Sequence, residues 1–161
     1  MILGMTAFTL FHVVLSLIGI VSGLIVLAGL LNADRKEGWT LLFLVTTVGT
    51  SVTGFLFPFG GFTPAIGVGI ISMIFLIAAI MAFYAFRLAG SWRWIYVVSA
   101  VVSLYLNVFV LVAQSFQKIP ALNALAPTGS EPPFAIVQGI VLVLFVIGGF
   151  LSLRRFYPVA A

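Results

Sequence analysis

Five long apolar runs divide the chain, with short polar or aromatic stretches between them. They are Ala7–Leu31, Thr40–Phe57, Pro64–Phe86, Trp94–Phe116 and Phe134–Leu153. As a helix rising ~1.5 Å per residue, each is long enough to cross a hydrocarbon core of ~30 Å, and Thr40–Phe57 is the shortest. The separators agree with these limits. Asn32–Gly38 is a polar loop and Phe57–Pro64 an uncharged aromatic turn. The Thr63-Pro64 pair reads as an N-cap followed by a first-turn proline. Arg87–Arg93 is a short basic loop, and Lys118–Pro133 is the longest connection. Its end, Ser130-Glu131-Pro132-Pro133, reads as a helix start, with Glu131 set against the positive end of the helix dipole. Between Pro120 and Pro127, residues 121–126 suit one or two turns of surface helix. The pattern predicts an all-α integral membrane protein, a compact bundle of five transmembrane helices, with residues 1–161 as one domain.

Composition turns this pattern into a statement about solvent. Hydrophobic residues make up 63% of the chain and charged ones only 6%, against about 25% charged in ordinary soluble domains. Such a chain cannot cover its surface with polar groups, so lipid is the expected surround. With five spans, alternate connections share a side. Arg35, Lys36, Arg87, Arg93, Arg154 and Arg155 then fall on one side and Lys118 alone on the other. Six against one predicts a cytoplasmic C-terminus and an outside N-terminus. Trp39, Trp92, Trp94 and Tyr157 fall on the same cytoplasmic side, as interfacial aromatics do. The expected location is a cell membrane, of the bacterial inner-membrane kind. The net charge of +4 reads as topogenic, not as a nucleic-acid footprint. Met1–Thr6 carries no Lys or Arg, so the first run reads as a retained span and not as a signal peptide.

The polar residues inside the runs carry the remaining information. In the fourth run Ser99, Ser103, Asn107, Gln114 and Gln117 share one helix face, which Tyr96 extends. In the first run His12, Ser16, Gly19 and Gly23 share a face, and Gly19/Gly23 form a GxxxG pair suited to close packing. The second run offers Thr46, Thr50 and Thr53, with Thr47 and Ser51 beside them. Threonine hydroxyls can also be satisfied on their own helix. The fifth contributes Gln138, with Ser152 deeper. The third contributes Ala78, Ala82, Ala85 and Ala89, read as a packing stripe. Once the spans are oriented, His12, Thr53, Gln138 and Gln114 fall within roughly 8 Å of the outer boundary. Ser16, Thr50 and Asn107 form a deeper layer, and Lys118 and Glu131 stand above in the outer loop. A polar pocket open to the outside, covered by the 118–133 loop, is the expected site.

The chemistry available to it is narrow. The three carboxylates and all seven Lys and Arg lie outside the runs, which argues against a proton pump. No cysteine is present, which excludes disulfides, thiolate metal sites and Cys nucleophiles. One histidine without cysteine or buried carboxylate makes no ordinary zinc or iron site. Met5 and His12 share a face but are too few to hold a soft metal. Haem needs an axial ligand, which His12 could supply, and a pair of axial histidines would need a dimer. No nucleophile–base motif or phosphate-binding loop is present. In size the chain resembles the tryptophan-rich sensory/translocator proteins; their Trp-rich and Pro-rich loops are missing, and no residue role carries over.

These residues lead to a non-enzymatic protein that binds, or passes, a small neutral or lipophilic molecule at the outer-leaflet pocket. Two alternatives stand beside it. One is an accessory subunit that packs against a larger membrane complex through its Gly and Ala faces, whereas a homo-oligomer with an internal pocket would favour the first reading. The other is a haem- or quinone-binding redox protein using His12. The orientation is directly testable because the chain has no cysteine. A cysteine introduced in the 118–133 loop of intact cells is expected to react with an impermeant maleimide. One at Arg87 is expected to react only after lysis, and the reverse pattern refutes the orientation.

Overall fold

The computed structural model describes residues 6–158; Met5 lies outside them. These residues form helices and loops with no strand. Helix α1 is Ala7–Leu31, α2 Glu37–Phe55, α3 Pro64–Ile80, α4 Trp92–Lys118, the short α5 Pro120–Asn123 and α6 Pro132–Arg155. A π-helical turn, Met81–Ala85, prolongs α3. With that turn included, five helices are long and apolar enough to cross a membrane. The helices outrun the apolar runs in places, and α2 begins at Glu37 rather than Thr40. Apolar runs mark where hydrocarbon is tolerated; backbone hydrogen bonding continues into polar residues such as Glu37, which favours a first turn.

The helix starts follow local chemistry. The Thr6 hydroxyl accepts from Thr9 N at 3.1 Å and caps α1. The Thr63 hydroxyl accepts from Ile66 N at 3.3 Å, with Pro64 in the first turn, as expected. Glu131 stands at the N-cap of α6, where the helix start is expected, but its side chain makes no cap hydrogen bond. Its carboxylate turns back to accept from Thr128 N, Thr128 Oγ1 and Ser130 N, closing the loop instead of capping α6. Desolvation works against the charged form, but these hydrogen bonds win and hold the carboxyl below its usual range. Their contribution to the loop is therefore present above the ordinary carboxylate pKa and lost as pH falls through the lowered one.

The helices form a ring in chain order, with α4 also contacting α1 across it and α6 lying against α4 and α1. The largest buried side chains, Phe43, Leu30, Leu76, Tyr96, Val97, Leu104 and Phe156, fill the centre. α1 reaches it through its two glycines. A Cβ at Gly23 would stand 2.5 Å from Leu104 Cδ1 and 2.9 Å from the Phe43 ring. On α3 the packing stripe is not the expected alanine row. Ser72, Leu76, Ala79 and Ala82 are buried, with Phe83 beside them, whereas Ala85 and Ala89 are exposed and Ala78 is half-buried. The π-turn, closed by Phe86 N donating to Met81 O at 2.9 Å, adds a residue and rotates the face away from Ala85.

All described Lys and Arg except Lys118 gather at one end, called the basic end below. Arg93, in the first turn of α4, donates to Leu153 O and Phe156 O at 3.0 and 2.9 Å, which are terminal carbonyls of α6. Its guanidinium also lies over the Tyr157 ring, 4.0 Å from the centroid. Arg35 donates to Arg87 O at 3.3 Å and so joins the two basic loops. That carbonyl belongs to a left-handed pair, Arg87 (φ 49) and Leu88 (φ 63), a conformation costing roughly 1 kcal/mol per residue. Replacing Arg93 with Ala orphans the α6 terminus. The expected loss is about 1.5–3 kcal/mol of stability, read by unfolding in detergent, with the first opening localised to α6 by hydrogen exchange. An unchanged α6 would show the cap to be dispensable.

Candidate functional site

The polar side chains of α1, α2 and α4 meet along one seam. Gly19 is its narrowest point. A Cβ there would lie 3.0 Å from Thr47 Oγ1, 3.2 Å from Asn107 Nδ2 and 3.3 Å from Thr46 Oγ1. Only a hydrogen fits between them, so the GxxxG glycine brings α1 onto a polar surface and not onto bare backbone. One turn toward the Lys118 end, Ser16 Oγ donates to Asn107 Oδ1 at 2.9 Å, joining α1 to α4. One further turn out, His12 Nδ1 and Thr53 Oγ1 are 2.8 Å apart, joining α1 to α2. The Phe57 ring meets the imidazole edge-on with centroids 5.1 Å apart, and Phe8 lies against Phe57.

Towards the basic end the seam changes character. Gly23, Phe43 and Leu104 close it with apolar surface, since Phe43 is 1% and Leu104 2% exposed. Beyond this plug Thr40 Oγ1 donates to Arg35 O at 3.0 Å and sits 3.2 Å from the Tyr96 hydroxyl. The polar seam is therefore interrupted by an apolar floor and does not run from end to end.

Several seam atoms hold no protein partner. Asn107 Nδ2, Thr47 Oγ1 and Ser103 Oγ are buried without one. Leaving such a group unpaired costs about 1–3 kcal/mol. The other hydroxyls are spent locally. Thr46, Thr50 and Ser22 donate to Leu42 O, Thr46 O and Ile18 O on their own helices.

The residues singled out from the sequence thus divide. His12, Ser16, Thr53 and Asn107 are brought together in bonded pairs along one seam. Thr50 borders it with its hydroxyl committed to the backbone. Gln114 is exposed and forms no hydrogen bond among the described residues, so it is not on an inward face. The fourth helix ends its buried stripe at Asn107, apart from Phe116. Gln138 is buried but bonds elsewhere. Its Nε2 donates to Phe109 O at 3.0 Å across the α4–α6 contact, roughly 200° around α4 from Asn107. Lys118 is exposed. The loop after it folds onto α4 and α6: Asn123 Nδ2 donates to Phe116 O, and Phe116 packs on Phe134. The expected pocket shared by four helices is replaced by a three-helix seam. Two cavities stand out, and neither is lined by His12, Ser16, Thr53 or Asn107. One is an apolar groove of about 250 Å³ bordered by Val21, Trp39 and Leu42. The other, about 460 Å³, lies among Asp34, Arg35, Lys36, Glu37 and Pro158.

Sequence reasoning missed Phe43 with Leu104 as the floor of the seam and Thr40 beyond it. The spacing Thr40, Phe43, Thr47, Thr50 carried that signal, since those positions share a helix face. Among the described residues no group of His, Asp or Glu is placed to hold a metal ion. No family model matches the chain, and no curated protein or solved structure matches it either.

The Ser16–Asn107 bond has a defined test. A double-mutant cycle of Ser16→Ala and Asn107→Leu, measured by unfolding in detergent, is expected to give a coupling of about 0.5–2 kcal/mol. Strict additivity would mean that the two side chains do not meet.

Proposed function

We propose that the chain is a multi-pass protein of a cell membrane, the bacterial inner membrane, with its basic end in the cytoplasm. There it binds, or passes, a small neutral hydrogen-bonding molecule at the α1–α2–α4 seam, entering from the outside. No covalent chemistry is assigned to it. The observation that carries this reading is the convergence of Asn107 Nδ2 and Thr47 Oγ1, both buried and without a protein partner, on Gly19. Buried polar atoms are nearly always satisfied, and a bound guest is a standard way of satisfying them. A neutral guest fits because the seam residues themselves, His12, Ser16, Thr47, Thr53 and Asn107, include no Lys, Arg, Asp or Glu. The six-to-one distribution of basic residues supports the orientation. The apolar floor at Phe43 and Leu104 favours binding over free passage.

A specific observation favours a second reading beside it. α6 is the least covered helix, with 6% of its apolar window buried. Lipid alone or a second copy can cover it, but so can a larger complex, which would make the chain an accessory subunit. Native copurification separates these readings.

The primary reading is tested by what the protein carries. Wild type and the Thr47→Val and Asn107→Leu variants are purified in mild detergent, extracted and compared by mass spectrometry. A compound held by the wild type and lost from both variants, with all three folded, is expected. Identical extracts from all three would refute the seam as a binding site.

A further inference from the structure

The histidine at the mouth of the seam is held in one tautomer, and the tautomer restricts what it can bind. Thr53 Oγ1 has one proton to give. A backbone acceptor, Gly49 O, lies 2.7 Å away, and Thr50 O lies at 3.1 Å. With that proton given to the α2 backbone, the oxygen faces His12 Nδ1 at 2.8 Å as an acceptor. Nδ1 must then carry the imidazole proton, which leaves Nε2 as a bare lone pair. Nε2 makes no hydrogen bond among the described residues, and the ring is half-buried. The ring is held in place on two other sides. Phe57 meets it edge-on, and a Cβ at Gly54 would stand 3.6 Å from Cε1.

Resting on the seam as the binding site, we infer that His12 Nε2 is a fixed hydrogen-bond acceptor and that the guest carries a hydroxyl on an apolar body. A carbonyl compound has nothing to donate to this nitrogen, whereas a hydroxyl does. The phenyl rings of Phe8 and Phe57 beside the imidazole suit an aromatic or alkyl body. The deeper atoms agree with this chemistry, because a hydroxyl oxygen also accepts, and Asn107 Nδ2 is an unpartnered donor. The Nε2 lone pair therefore favours a phenol or lipophilic alcohol over its ether or ketone counterpart.

The chain has a single histidine, so nitrogen-15 NMR of the full-length, histidine-labelled protein in nanodiscs reports His12 alone. Nδ1 protonated and Nε2 bare is the expected state; the opposite tautomer would overturn the inference. Thr53→Val is expected to release the lock, and Thr53→Ser to keep it; a lock that survives Thr53→Val also overturns it. Octylphenol is expected to shift the Nε2 resonance and to bind about fivefold more tightly than its methyl ether, the worth of one hydrogen bond. Equal binding of the two overturns the assignment of the guest. A haem absorption band in the purified protein would overturn it as well, by placing iron on the same lone pair. The tautomer needs no guest in the seam. A bare Nε2 with identical extracts from the seam variants would therefore sink the functional reading alone, and a protonated Nε2 this inference alone.

Discussion

α1 can approach α2 and α4 closely only because Gly19 and Gly23 present hydrogen where any other residue presents carbon, and the rest of the bundle is arranged around that approach. At Gly23 the space is taken by Leu104 and the Phe43 ring, both almost fully buried. At Gly19 it is taken by Thr46, Thr47 and Asn107. The same close contact thus produces an apolar seal at one level and a polar lining one turn away. In surroundings without water, packing supplies the attraction and hydrogen bonds supply the register. Ser16 with Asn107, and His12 with Thr53, fix the register of α1 against its two neighbours.

This arrangement explains why polar atoms are left over. A helix face of small polar residues spaced by three and four carries more donors and acceptors than a rigid contact can pair. Serine and threonine discharge the excess on their own backbone, as Thr46, Thr50 and Ser22 do. Asparagine has no such outlet. With its oxygen engaged by Ser16, the amide nitrogen of Asn107 is left for something else. The uncommitted atoms of the seam are therefore Asn107 Nδ2 with Thr47 Oγ1 and Ser103 Oγ beside it, and the proposed binding role rests on that group.

The helices were legible in the sequence because hydropathy over some twenty residues averages away local detail. Faces were legible only where polar spacing was unbroken. Ser99, Ser103 and Asn107 are buried on one side of α4 as their spacing predicts, and the extrapolation to Gln114 fails, since that side chain is exposed. Depth alone grouped Gln138 with His12, although the two lie on different sides of α4. Depth is a one-dimensional coordinate, and neighbours in a bundle are set by azimuth, which the sequence does not carry. Arg93 was read as a topogenic charge, yet its hydrogen bonds to the end of α6 depend on where a segment some sixty residues away returns.

The π-turn at Met81–Ala85 gives α3 one residue more than an α-helix of equal rise requires. Such a turn is the structural form of a single-residue insertion absorbed within a helix. The chain's tolerance for a change of length therefore lies here, inside a helix and next to the strained Arg87–Leu88 corner. Removing one residue would restore α-helical winding, pull Phe86 away from its stacked partner Trp92 at the start of α4, and re-aim the loop that Arg35 grips. A related sequence one residue shorter in this stretch would be expected to have a differently oriented basic loop on an otherwise unchanged set of helices.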